Sequence, residues 1–155
     1  MGNVLSYVQK KVGKVEVDPR TGLLPSEGCA VQKTWCTFRG TPNAGVPFFV
    51  ELFTRYPEYR ALFKCLKKIP TEEFPKNPKV RAHASAVTYL FTAVVESMDD
   101  FTLLTAIIEK NAKSHARRQG LTPEHFCSLG VVIKDVLHKT LGDQMTPDAT
   151  NGWDK

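Results

Sequence analysis

His83 and His115 lie 32 residues apart, and each falls on an apolar stripe of helical period. The first stripe is Val80, Val87, Leu90, Phe91 and Val94, with His83 four residues before Val87 and seven before Leu90. The second is Phe101, Leu104, Ile107, Ile108 and Ala112, and His115 continues it seven residues after Ile108. A single histidine in such a place is commonly a hydrogen-bonded core residue. Two of them, on successive helices, raise a second reading: one ligand shared between the helices. A planar haem iron with a histidine on one or both axial positions fits that pattern.

The elements that must position these side chains are all helical. Asn77-Pro78 reads as a cap followed by proline at the first helical position, opening the His83 helix, which runs to about Ser97. A turn at Met98–Asp100 leads into the His115 helix, which Gly120 breaks. Pro123 opens a long helix carrying Phe126, Leu129, Val132, Ile133, Val136 and Leu137, with His125 and His138 expected on its surface. Upstream, Ser26 is the expected cap of a first helix through Val31, Trp35 and Phe38. Thr41-Pro42 is the expected start of a second, with Val46, Phe49, Val50 and Phe53 on its apolar face. Pro47 inside that helix should kink its first turn or push its start later. Tyr56-Pro57 closes it, a short helical turn spans Glu58–Leu66, and Lys67–Pro75 is irregular. Thr146-Pro147 begins a last helix. With no alternating pattern and no internal repeat, the class is all-α.

Length and composition suit one domain and one core: 155 residues, 42% hydrophobic and 24% charged. The net charge of +5 and pI of about 9.1 are mildly basic. The surplus is spread over Lys10, Lys11 and Lys14, then Lys64, Lys67 and Lys68, then Arg117-Arg118, which suits solvated helix faces and permits anionic partners rather than nucleic acid. Cys29, Cys36, Cys65 and Cys127 form no C-x-x-C pair, so reduced thiols are expected and zinc is not; a Cys36–Cys65 disulfide stays open. No apolar run approaches the roughly 18 residues of a transmembrane helix, and no secretory core is present.

Residues 1–25 read as an arm before a folded domain at 26–155, with Asp18–Gly22 as a turn. Met1-Gly2-Asn3-Val4-Leu5-Ser6 matches the M-G-x-x-x-[ST] myristoylation signal on Gly2. One myristoyl chain binds a membrane with only about 10⁴ M⁻¹, and Lys10, Lys11 and Lys14 would supply the second signal at roughly 1 kcal/mol each on an anionic leaflet. The plain alternative is a tail whose second residue happens to be glycine. The expected location is cytoplasmic, peripheral on the cytoplasmic face of a membrane, and not secreted.

Trp35, Leu52-Phe53 with Arg55-Tyr56-Pro57, Phe63 six residues after Pro57, Val80-Arg-Ala-His83 with Val87, Ser114-His115-Ala116, Leu121–Phe126 with Leu129-Gly130, and Thr146-Pro147 through Trp153 together resemble the globin family. They occur in the family's order over about 27–155. The resemblance implies a globin fold and a haem b pocket. His115 would be the proximal iron ligand through its ε nitrogen, with Ser114 helping to orient the ring. His83 would be distal, either donating a hydrogen bond to a diatomic ligand such as O2, NO or CO or ligating the iron itself. Val87 would crowd that ligand, and Phe49 and Phe63 would pack above and against the haem, with Leu121 and Phe126 completing the pocket. Arg118 and Lys67 are candidates for the haem propionates. For Phe49, Phe63 and Val87, plain core packing is the alternative.

The sequence departs from the family in three places. Asn111 stands where a bulky apolar residue is usual, Pro47 is unusual so near Phe49, and about nine residues follow Thr146 where the family's last helix continues for several turns. At roughly 25 cal/mol per Å² the lost burial amounts to several kcal/mol, so the expectation is a truncated isoform or fragment, or a chain that holds haem weakly. Three functions follow: a haem globin that binds O2 or another diatomic gas reversibly; a bis-histidyl globin in redox or nitric oxide signalling at a membrane, with nitrite reduction or NO dioxygenation as a side activity; and a haem-free, membrane-tethered helical adaptor. No arrangement of a hydrolase is readable, and no classical enzyme is expected.

Overall fold

Proline sets where five of the six α-helices among the described residues begin. The computed structural model describes residues 16–155, which form α1 (Pro25–Arg39), α2 (Val46–Arg55), α3 (Pro78–Glu96), α4 (Phe101–Ala116), α5 (Pro123–Leu141) and α6 (Pro147–Trp153). Short 3₁₀ turns at Pro57–Leu62, Thr71–Glu73 and Gly142–Gln144 link them, and no strand occurs among the described residues. Gly2, Lys10, Lys11 and Lys14, the expected membrane anchor, lie outside the described residues.

Side-chain caps fix several starts as the sequence predicts. Asn77 Oδ1 accepts from Lys79 N–H at 3.0 Å, and Thr146 Oγ1 accepts from Ala149 N–H at 3.3 Å. Two starts differ. The cap of α1 is Leu24 rather than Ser26, because Pro25 takes the first helical position and the Glu27 carboxylate accepts the Leu24 N–H at 2.7 Å. The second helix starts at Val46 rather than at Thr41-Pro42. Residues 41–45 turn instead, with Asn43 at φ 56°, so Pro47 falls in the first turn, where its missing N–H has no partner to lose.

The core lies between α1, α2, α3 and α5. Trp35 and Phe38 of α1 stack towards Phe48 of α2, and Trp35 Nε1 donates to Thr92 Oγ1 of α3 at 3.0 Å. Gly45 lets α2 lie almost on the α3 backbone: a Cβ there would stand 2.5 Å from the Ala84 carbonyl oxygen. On its other side α2 is tied to α5, with Arg55 on Asp135 at 2.6 Å and Lys139 on Glu51 at 2.9 Å.

The last helix is short but docked. Trp153 lies 6.0 Å from Trp35 and donates to Thr34 Oγ1 at 3.0 Å, while Gly152 fits against Val31. Lys155 pairs with the buried Glu27, which also holds Leu24. The hydrogen bond from Lys155, with that from Leu24, keeps the Glu27 carboxyl below its ordinary value near 4.5. A lowered carboxyl stabilises the fold above its ordinary value and loses that contribution as pH falls through its folded value. Glu27→Gln is therefore expected to lower Tm by a few degrees at pH 7, with the gap closing in acid; a gap that stays constant from pH 7 to 3 would contradict it.

α4 packs mainly on α3. Only Leu104 of its predicted stripe is buried; Phe101 and Ile108 are exposed, so that stripe is not the solid core face its period suggests. All four cysteines are free and exposed, and no Cys36–Cys65 bond forms.

Candidate functional site

The ring of His83 reaches the site because α3 begins firmly at Asn77-Pro78 and turns this position towards α2. Its centroid is 5.1 Å from that of Phe49 and 5.5 Å from that of Phe63. Phe49 meets Phe63 edge-on at 5.7 Å, so the three rings form a cluster of mutual edge and tilted contacts. Phe49 is buried; Phe63, His83 and Val87 are half-buried. Burial, then the positive charges of Arg118 and His115, hold the His83 imidazole below its ordinary value of 6.5. It is therefore neutral at pH 7, with a nitrogen lone pair available to a metal.

His115 stands on the last turn of α4, half-buried. Its Nδ1 lies 3.0 Å from the Asn111 carbonyl oxygen and 3.4 Å from Ser114 Oγ. The carbonyl can only accept, so Nδ1 carries the proton and donates, which leaves Nε2 as the free lone pair. The acceptor is a main-chain atom one turn earlier, supplied whatever the side chain at 111, and so has no signature in the sequence. Phe126 of α5 meets the His115 ring edge-on at 5.5 Å and keeps 44% of its surface exposed, unusual for a phenylalanine on an apolar helix face. Leu121 is half-buried in the link between α4 and α5.

The structure thus joins Phe49, Phe63 and His83 in one cluster and Ser114, His115 and Phe126 in another; Val87 lies on α3 one turn after His83. The Arg118 N–H donates to the His115 carbonyl at 2.9 Å and its charge acts on His83; the Lys67 N–H donates to the Phe63 carbonyl at 3.0 Å, while its exposed side chain has no hydrogen bond or ion pair among the described residues. Among the described residues no three His, Cys, Asp or Glu side chains converge on a point. An uncharged His83 and a His115 whose Nδ1 is already engaged, both beside phenylalanines, suit a metal that brings its other ligands with it in a flat apolar frame, which is the chemistry of haem.

Sequence reasoning missed one neighbour of this site. His125 is half-buried rather than superficial: its ring lies 4.4 Å from Tyr59, and its Nδ1 accepts the Thr122 N–H at 3.1 Å to cap α5. A histidine three residues after a threonine could have signalled that cap; the Tyr59 contact joins distant segments and had no signal. His138 is exposed as expected.

The family model described as Globin matches residues 46–155. The chain is similar to cytoglobin-1 of Oryzias latipes, with 28% identity over 149 residues, 94% of this chain and 84% of that one. Among solved structures it is similar to the hexa-coordinate hemoglobin of Drosophila melanogaster, with TM-score 0.74 and 26% identity over 85% of this chain and 86% of that one. The hexacoordinated heme protein of an anhydrobiotic tardigrade shares the fold, with TM-score 0.81 and 20% identity over 88% of this chain and 89% of that one.

Proposed function

Because the chain belongs to the globin family and its cofactor is haem, we propose that His115 and His83 would both hold the haem iron and that the haem would bind diatomic gases on the His83 side. The observation that carries this reading is the pair of histidines on packed helices: His115 with Nδ1 engaged by the Asn111 carbonyl, and His83 kept uncharged by burial. Haem, when bound, supplies an iron that takes up gases such as O2 and exchanges an electron. The chain's own residues set the terms. Asn111 and Ser114 orient the proximal ring. Phe49 and Phe63 cage His83 and exclude water from its side. Phe126 covers the proximal ring, and Leu121 and Val87 close the apolar walls. Arg118 is the candidate for an anionic edge of the cofactor. The two similar proteins named as hexacoordinate support the bis-histidyl form.

The test is the visible spectrum of the ferrous chain without oxygen. Sharp, split bands are expected, and His83→Leu is expected to convert them to the broad band of five-coordinate iron while raising the CO association rate about tenfold or more. A broad band already present before substitution would discard the bis-histidyl form.

The same reading extends to place: acylated Gly2 with Lys10, Lys11 and Lys14 would hold the protein on the cytoplasmic face of a membrane, where an iron of this kind suits redox or nitric oxide signalling. The support is the motif and the charges beside it. Binding of the acylated chain to vesicles containing phosphatidylserine is expected to fall about tenfold in 0.5 M salt and to vanish in Gly2→Ala. Equal binding with and without acylation would remove the anchor.

A further inference from the structure

A cleft of about 270 Å³ lies between the end of α1, the start of α2 and the middle of α3. It is not the haem side of α3. At 100° per residue, Arg81, Ser85 and Thr88 face away from His83 and Val87. Two arginines, Arg39 and Arg81, line it, and no carboxylate does.

The cleft is held in shape by contacts the rest of the fold explains only in part. Its floor is the close crossing of α2 and α3 at Gly45. Asn43, the one non-glycine residue at positive φ among the described residues, accepts from Arg81 Nε at 3.0 Å. That bond takes the inner nitrogen of the guanidinium and fixes the plane of the group. Both Nη groups of Arg81 have no hydrogen-bond or ion-pair partner among the described residues. They form the two-pronged donor that matches a tetrahedral oxyanion. Arg39 adds a second charge, engaged only by a long, exposed contact of 3.4 Å to Glu96. The hydroxyls of Ser85 and Tyr89 line the same cleft without hydrogen bonds among the described residues, and Tyr89 keeps 75% of its surface exposed. An oriented guanidinium, a second cation and free hydroxyls around a space free of carboxylates are the chemistry of a phosphate receptor.

We propose that this cleft binds a small phosphate-class anion, gripped by Arg81 and Arg39. The volume admits inorganic phosphate or a small phosphate monoester, whose organic part would lie along Tyr89. The inference stands apart from the reading of the histidine pair, because the cleft is on the opposite side of α3.

The experiment is calorimetric titration of the full haem-loaded chain at low ionic strength, with inorganic phosphate in one arm and glycerol phosphate in the other. One saturable site per chain is expected, weakened tenfold or more by Arg81→Gln and abolished by Ser85→Asp, which places a negative charge in the cleft. Both positions are exposed, and an unchanged melting temperature would show that the fold is intact. Lys68→Gln, on an exposed loop, is expected to leave binding unchanged. Tighter binding of the ester, lost in Tyr89→Ala, would identify a monoester site; equal binding would identify inorganic phosphate. The proposal is overturned if neither anion gives saturable heat, or if Lys68→Gln weakens binding as much as Arg81→Gln does, since that is the mark of diffuse surface charge.

Discussion

Replacing His115 with glycine is expected to cut haem retention by about 100-fold or more, with millimolar imidazole restoring much of the bound cofactor and its spectrum. The expectation follows from how this side chain is held. Nδ1 is committed to the Asn111 carbonyl at 3.0 Å, so the ring presents one nitrogen in one orientation. A group held this way contributes both its bond to the metal and the entropy already lost in positioning it. Glycine removes the ring and leaves room for free imidazole, while a position in the last turn of α4 limits the backbone cost to about 1 kcal/mol. His83→Gly is the informative partner, since loss of the distal ring should change the spectrum and leave most of the haem in place. If His115→Gly kept its haem with an unaltered spectrum while His83→Gly lost it, the proximal and distal roles would have to be exchanged.

The second large effect is structural and reaches the same site. Gly45→Ala is expected to cost about 3 kcal/mol, because the new methyl would stand 2.5 Å from the Ala84 carbonyl oxygen and 2.6 Å from Thr88 Oγ1. The nearest obstacle is main chain and cannot rotate aside, so α2 and α3 must move apart. For a chain of this length that corresponds to a fall in Tm of roughly 6–12 °C. The separation also draws Phe49 away from His83, whose rings are now 5.1 Å apart. The spectral balance between five- and six-coordinate iron should shift together with the melting temperature. A Gly45→Ala protein as stable as the parent would show that this crossing is looser than its geometry implies.

What could be read from the sequence and what could not divide along a physical line. Local patterns were legible. Asn77-Pro78, Pro123 and Thr146-Pro147 open helices where they were expected, because a capping side chain and a fixed φ act within one turn. The same signal misled at Thr41-Pro42, where residues 41–45 instead take a turn through Asn43 that brings Gly45 onto α3. The decision was made by packing between helices, which no local pattern records. The histidine pair was legible from helical period alone, and the fold places the two residues on helices that pack together. The acceptor that orients His115 was not legible, because any residue at 111 would offer the same carbonyl. Nor were Arg81 on Asn43 or Tyr59 on His125, each joining residues far apart in the chain. The apolar stripe of α4 predicts a covered face, yet Ile108 and Phe101 are exposed, since periodicity marks a face without saying whether a partner covers it.

The sparse packing of α4 has a thermodynamic side. A helix that rests mainly on one neighbour, with Leu104 as its only buried residue, contributes little to the cooperative core and can detach at a small fraction of the global unfolding free energy. Its amides should therefore exchange with deuterium well before those of α1, α2 and α5, as a separate unit. Since that unit carries His115, any ligand gripped by His115 closes the opening by mass action, and the exchange rate along α4 becomes a direct gauge of how much of the protein is loaded.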